Sequence, residues 1–297
     1  MEQIQEILKQ IKKLEISTKY LVDKLISGNY HSLFKGQGIE FSELREYRSG
    51  DDVRSIDWNV TARYNQPYVK EFVEERSLEV YFILDLSDSE SFGNKISKNR
   101  KAIEIVASLM FAALRNNDSI GIFLFTETIE KFIPARKGKK HVMQILSSII
   151  SYQPKSKITN LNRTLIQVSQ ILKRRSILFI VSDFFDSNDY SKPLKILRRR
   201  HDIILLKIVD LREQEIPQIG LIELEDKETG EQILVDTSNP AFLKNYREIL
   251  QNYELQFMST LGKLNLDCIK ILTDEKYEVP LRKFFKKRIR RQDFVRI

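Results

Sequence analysis

Cysteine is almost missing from this 297-residue chain: Cys268 stands alone, so no internal disulfide can form. Histidine is nearly as scarce. His31, His141 and His201 are scattered, with no two at a metal-ligand spacing such as His-x₃-His, which argues against a histidine-built metal centre. No Gly-x₄-Gly-Lys-Ser/Thr loop occurs, so any ATP hydrolysis belongs to a partner. Gly36-Gln37-Gly38 lacks the third glycine and the strand-to-helix setting of a dinucleotide site. No apolar run approaches the ~20 residues that span a bilayer, and Met1-Glu2-Gln3-Ile4 does not open a signal peptide. A cytoplasmic location is the default expectation, with peripheral membrane contact left open.

The charge that is present is unevenly placed. Apolar residues make up 42% and charged residues 30%, an ordinary soluble balance. The formal net charge is +8, and residues 282–297 carry eight basic side chains against Asp293, a local +7. The basicity therefore belongs to the tail. It reads as a solvated helix end or a contact for an acidic partner, and nucleic acid is not expected as a partner. Arg198-Arg199-Arg200 closes a helix, where cations favour the dipole.

Three stretches organise the chain. Ile4, Ile7, Leu8, Ile11, Leu14, Leu21, Val22 and Leu25 form one apolar helical face that Gly28 ends, giving an N-terminal amphipathic helix within residues 1–29. Residues 30–77 mix aromatics with dense charges of both signs, as in Leu44-Arg45-Glu46-Tyr47-Arg48-Ser49-Gly50-Asp51-Asp52. Such density predicts bidentate arginine–carboxylate pairs that fix an irregular extension on the main domain. A two-metal hydrolytic site from Glu40, Asp51, Asp52 and Asp57 ranks well below that reading, because the nearby arginines neutralise the carboxylates. Residues 78–297 alternate strands and helices: strands at Leu78–Leu84, Asp118–Phe125, Ser176–Ser182, Ile203–Val209 and Asp267–Leu272, with Ile129–Ile133 as a hairpin mate. Helices are expected at Ile96–Arg115, Lys139–Tyr152, Leu161–Arg174 and Ser191–Arg200, and from Pro240 to about Leu261. A basic terminal helix follows. This pattern predicts an α/β fold: a mainly parallel, Rossmann-like sheet with helices on both faces.

The candidate chemistry lies at strand ends. The apolar run Leu78–Leu84 stops abruptly in Asp85-Leu86-Ser87-Asp88-Ser89. Hard cations such as Mg²⁺ take oxygen donors in octahedral geometry, and ligands of open α/β sheets bind beyond the carboxyl ends of the strands. A helix cap is the commoner use of a Ser/Asp-rich turn. Downstream, Thr159-Asn160-Leu161 opens a helix and Asp183 ends a second strand. Asp85, Ser87, Ser89, Thr159 and Asp183 together resemble the metal-ion-dependent adhesion site of von Willebrand factor A domains. There, hydroxyls and the threonine hold a divalent ion, carboxylates act mostly through water, and a partner's carboxylate completes the shell. Lys157-Ile158 stands where that family usually has glycines, and Glu90 where it often has methionine.

A longer match lies upstream. Gly38-Ile39-Glu40-Phe41, Leu44 to Asp52, Arg54-Ser55-Ile56-Asp57-Trp58 and Thr61-Ala62-Arg63, joined directly to the Asp-x-Ser-x-Ser strand, resemble the bacterial domain-of-unknown-function 58 family. The resemblance implies a von Willebrand factor A-like fold and work alongside a MoxR-type AAA+ ATPase in protein maturation or remodelling. Three readings follow. The first is a non-enzymatic adaptor that binds Mg²⁺, or Mn²⁺ or Ca²⁺, and captures a carboxylate-bearing client. The second is a metal-dependent phosphoesterase built on Asp85, Asp88 and Asp183. The third is a metal-free scaffold, which Lys157-Ile158 motivates. Cys268 falls within a strand and reads as packing.

Overall fold

The computed structural model describes residues 40–64, 66–73, 79–87, 97–186, 188–214, 216, 218–225 and 232–294, together with Lys9, Lys12 and Glu15. Most of the expected N-terminal helix, and with it Asp88, Ser89 and Glu90, lie outside the described residues. Glu15 pairs with Lys139.

Residues 40–73 depart from the expectation of irregularity. β1 (Glu40–Glu46) and β2 (Tyr68–Val73) pair antiparallel, separated by a 3₁₀ turn at Val53–Ser55 and helix α1 (Trp58–Tyr64). The expected arginine–carboxylate pairing is present. Arg45 grips Asp51 with both terminal nitrogens at 2.7 and 2.9 Å and, with the Arg48 amide, holds that carboxyl at about 2. Asp52 caps the 3₁₀ turn through the Arg54 amide, and Asp57 accepts from the Asn59 and Val60 amides at the start of α1. These carboxylates organise turns, which is why an alternation of charges could still close into paired strands.

The main sheet is built from β3 (Glu79–Asp85), β4 (Ser119–Phe125), β5 (Ile129–Arg136), β6 (Ile177–Ser182), β7 (Asp202–Val209) and β10 (Asp267–Leu272). Its order is β10-β7-β6-β3-β4-β5, parallel throughout except for the antiparallel edge strand β5. Helices α2 (Lys98–Arg115), α3 (Lys139–Ile150), α4 (Leu161–Ile171), α5 (Ser191–Arg198) and the short α6 (Leu211–Gln214) link these strands. A hairpin, β8 (Leu221–Glu225) with β9 (Gln232–Asp236), precedes α7 (Pro240–Leu264), and α8 (Glu278–Phe294) follows β10. No helix among the described residues is long and apolar enough to cross a membrane.

Both faces of the sheet are covered, which explains why its inner strands read as unbroken apolar runs. On one face Val80, Phe82 and Leu84 pack against Ile105 and Leu109 of α2, Val142 and Ile145 of α3, and Leu281 and Phe285 of α8. On the other, Tyr81, Ile83, Phe123 and Phe125 meet Leu165 and Val168 of α4, Leu194 of α5, and Phe257 and Leu261 of α7. Each such side chain, fully buried, contributes about 1.5–3 kcal/mol before entropy is counted. The expected mainly parallel sheet with helices on both faces is the fold adopted.

Helix ends follow their local chemistry. Ser97 caps α2 by accepting from the Arg100 amide at 3.2 Å. Asn239 caps α7 just before Pro240, and Asn265 closes it in the left-handed region at φ 46°. α4 stops three residues short of the expected Arg174, because Leu172 turns extended and buries itself in the core ahead of β6.

Topology places one special position. From β3 the chain steps through α2 to β4 and β5, then returns to the other side of β3 to form β6. The order reverses between β3 and β6, so a crevice opens beyond their carboxyl ends. Asp85 ends β3, and Ser182-Asp183 ends β6 at that crevice.

Candidate functional site

Asp85 is fully buried at the end of β3. Its Oδ2 accepts from the Ser182 hydroxyl at 2.8 Å and its Oδ1 from the Ser87 amide at 3.0 Å, and the Ser87 hydroxyl also bonds the carboxylate. Burial, and then the negative charge of Asp183, push the Asp85 carboxyl up to about 7 against the pull of these hydrogen bonds. A carboxylate so placed is costly to ionise unless positive charge arrives. Ser182 also receives the Phe184 amide at 3.0 Å, and Phe184 sits in the left-handed region at φ 58°. A bulky residue there marks backbone strain, which clusters at functional turns.

Asp183 is held from two sides. The Phe185 amide donates to its Oδ1 at 3.0 Å, and Lys98 Nζ lies 2.7 Å from its Oδ2. The same ammonium lies 2.7 Å from Glu213 Oε1. Lys98 leaves only 1% of its side chain in solvent, so the pair sits away from water's screening. Burial raises the Glu213 carboxyl, with Lys98 opposing. One strand further on, Asp210 binds Arg212 through Nε at 3.0 Å and NH2 at 2.9 Å and accepts the Thr273 hydroxyl at 3.0 Å. Three neighbouring strands, β3, β6 and β7, thus run out into Asp85, Asp183 and Asp210. Lys98 and Arg212 serve the last two, whereas two hydroxyls and an amide serve Asp85.

Thr159 is buried in the loop before α4. The Asn160 amide bonds the Thr126 carbonyl at 3.2 Å, just past β4, and the Leu161 amide bonds Asp186 at 2.7 Å, just past β6. The Thr159 loop is therefore tied to the same end of the sheet. Glu130 anchors its other side, accepting from the Lys155 and Ser156 amides and the Tyr152 hydroxyl. Asp85, Ser87 and Asp183 come together at the switch point, Thr159 stands on an adjoining loop, and Ser89 lies outside the described residues.

The donor set of carboxylate and hydroxyl oxygens suits a hard divalent ion. Among the described residues no group of three or more His, Cys, Asp and Glu side chains could hold a metal ion, so the fit rests on hydroxyl oxygens. Among the described residues, Cys268 and His201 are ill-suited to nucleophilic or base chemistry. Burial pushes the Cys268 thiol up to about 12 and pulls His201 down to about 4, and His141 bonds the Ile120 carbonyl at 2.9 Å.

Lys98, Ser182 and Glu213 are the site residues that reading the sequence missed. Lys98 had a signal: it shares a helical stripe with the buried Ala102 and Ile105, at i+4 and i+7, where a lysine does not belong without a buried partner. It also opens its helix, the end at which the dipole disfavours a cation.

The chain belongs to the family described as Protein of unknown function DUF58, whose model matches residues 43–254. It is 26% identical over 284 residues to the uncharacterized protein Rv1480 of Mycobacterium tuberculosis, covering 94% of this chain and 89% of that one. Among solved structures it is similar to the conserved hypothetical protein BatB from Bacteroides thetaiotaomicron, at 11% identity and a TM-score of 0.45, covering 72% of this chain and all of that one. It is also similar to a von Willebrand factor type A protein from Catenulispora acidiphila, at 10% identity and a TM-score of 0.40, covering 86% of this chain and 50% of that one.

Proposed function

We propose that this DUF58 protein is a non-enzymatic protein-interaction domain that holds a divalent cation, Mg²⁺ or in its place Mn²⁺ or Ca²⁺. Asp85, Ser87, Ser89, Thr159 and Asp183 would hold it. One observation carries the reading: a fully buried carboxylate, Asp85, at the point where the strand order reverses, with the hydroxyls of Ser182 and Ser87 donating into it. A hydroxyl whose proton is given to a carboxylate keeps its lone pairs for a cation. The ion, when bound, supplies a coordination position for a partner's carboxylate. Asp85 orients the hydroxyls and carries compensating charge, and Phe184 holds the Ser182-Asp183 turn in place. The partner we propose is a MoxR-type AAA+ ATPase or its client, on the strength of the family resemblance.

The test is binding of the full chain to a purified MoxR-type ATPase with Mg²⁺ and then with EDTA, for wild type and Asp85→Ala. Binding is expected to drop at least tenfold on chelation and in the variant, with circular dichroism unchanged. Equal binding in all four conditions overturns the metal bridge.

A second reading is kept because of the Asp85 carboxyl at about 7, the range of a general base beside a hydroxyl. Hydrolysis of bis-p-nitrophenyl phosphate that requires a metal and vanishes in Asp85→Ala supports a phosphoesterase. No turnover with Mg²⁺, Mn²⁺ or Ca²⁺ removes it.

A further inference from the structure

We infer that Lys98 is the site's resident counter-cation and competes with the divalent ion for Asp183. This inference rests on the proposed ion site and adds its regulation. A buried ammonium needs carboxylate partners, and Asp183 and Glu213 stand at equal distance from Lys98, each 2.7 Å from Nζ. They differ in surroundings: the Asp183 side chain is 10% exposed and faces Asp85, whereas Glu213 is 32% exposed on α6, beyond the end of β7. Asp183 is thus shared between Lys98 and the ion site, whereas Glu213 is not one of the proposed ion ligands. When positive charge enters beside Asp85, Lys98 keeps Glu213 and releases Asp183. When the ion leaves, the ammonium closes back on Asp183 and shields Asp85 from part of that charge. The pair of acceptors makes the lysine a latch, and its exchange needs only a shift of contact.

General repulsion between an ammonium and a divalent ion also weakens binding, so the experiment must separate the two. Mn²⁺ is the probe, and bound and free ion are counted by electron paramagnetic resonance on the full chain. Four proteins form a double-mutant cycle: wild type, Lys98→Met, Asp183→Asn, and the two combined. Lys98→Met is expected to tighten Mn²⁺ by roughly tenfold to a hundredfold, the scale of one nearby unit charge in a partly screened site. In the Asp183→Asn background the same change is expected to do little, because the contested carboxylate is gone. Tightening that persists in full there overturns competition and leaves repulsion alone.

Lys98→Met leaves two carboxylates facing each other and could unfold. Lys98→Met with Glu213→Gln removes one charge of each sign, and the same tightening is expected from it. The failures are distinguishable. With Asp85→Ala measured beside them, Mn²⁺ binding that is lost in Asp85→Ala but unchanged in Lys98→Met overturns the latch and spares the ion site. No Mn²⁺ bound at millimolar concentration by any of these proteins overturns both.

Discussion

Lys98→Met tests the electrostatics of the site through stability alone, without any ion. The wild-type ammonium sits between Asp183 and Glu213 and is 1% exposed. Removing one partner of a buried pair costs about 3–5 kcal/mol, because the other is left as an uncompensated charge. Two features reduce that figure here. Glu213 keeps 32% of its side chain in solvent, and a proton can take the place of the lost ammonium. The expected loss at pH 8 is therefore about 2–3 kcal/mol. Its pH dependence has a definite sign. Burial already raises the Glu213 and Asp85 carboxyls, and removal of Lys98 raises Glu213 further. An acid whose folded pKa exceeds its unfolded value binds more protons folded than unfolded, so folding gains as pH falls through the folded pKa. The penalty is expected to shrink as the pH falls from 8 toward 5.5. Urea melts followed by far-UV circular dichroism at both pH values measure it, with wild type beside the variant. A loss below about 0.5 kcal/mol at pH 8, or one that does not change with pH, refutes the view of Lys98 as a buried counter-ion.

Two further predictions concern the scaffold. A Cβ on Gly121 would lie 2.4 Å from Tyr81 Cε1 and 2.9 Å from the Ala135 nitrogen, and the Tyr81 hydroxyl accepts from that same amide at 3.3 Å, so the ring cannot swing away freely. Gly121→Ala should cost about 1–3 kcal/mol or more by overpacking, and an unchanged melting midpoint contradicts that. His201 is 4% exposed, and burial, then Arg200, takes its pKa from 6.5 to about 4. Between those values the unfolded chain binds a proton that the folded chain refuses, so stability falls as pH drops from 7 toward 4. The His201 share is at most about 3 kcal/mol. His201→Leu should flatten that limb, and identical pH profiles contradict the assignment.

Much of the fold was legible because buried parallel strands must be apolar along their whole length. Asp267–Leu272 falls where the run predicts, and β3, β4, β6 and β7 differ by a residue or so at their starts. Helix ends were less legible, since tertiary packing decides them: Leu172 leaves α4 to fill the core, although Lys173 and Arg174 could have extended the helix. The paired strands β1 and β2 were hidden by their charges, because carboxylates that cap turns look the same in sequence as carboxylates in a surface network. Within the site, Asp85 and Asp183 could be placed because each ends a strand. Ser182 could not be separated from the strand it ends, nor Glu213 from an ordinary surface acid. Their roles arise from β3, β6 and β7 lying side by side, an adjacency that no local pattern carries.

Thermal unfolding of wild type and Asp85→Ala across a Mg²⁺ titration tests the central claim most directly. An ion that binds only the folded chain adds about 2.7 kcal/mol at a hundredfold excess over its dissociation constant. The account predicts a midpoint that climbs with Mg²⁺ in wild type and stays flat in Asp85→Ala. A midpoint indifferent to Mg²⁺ in wild type, or one that climbs equally in both proteins, contradicts an ion held at Asp85.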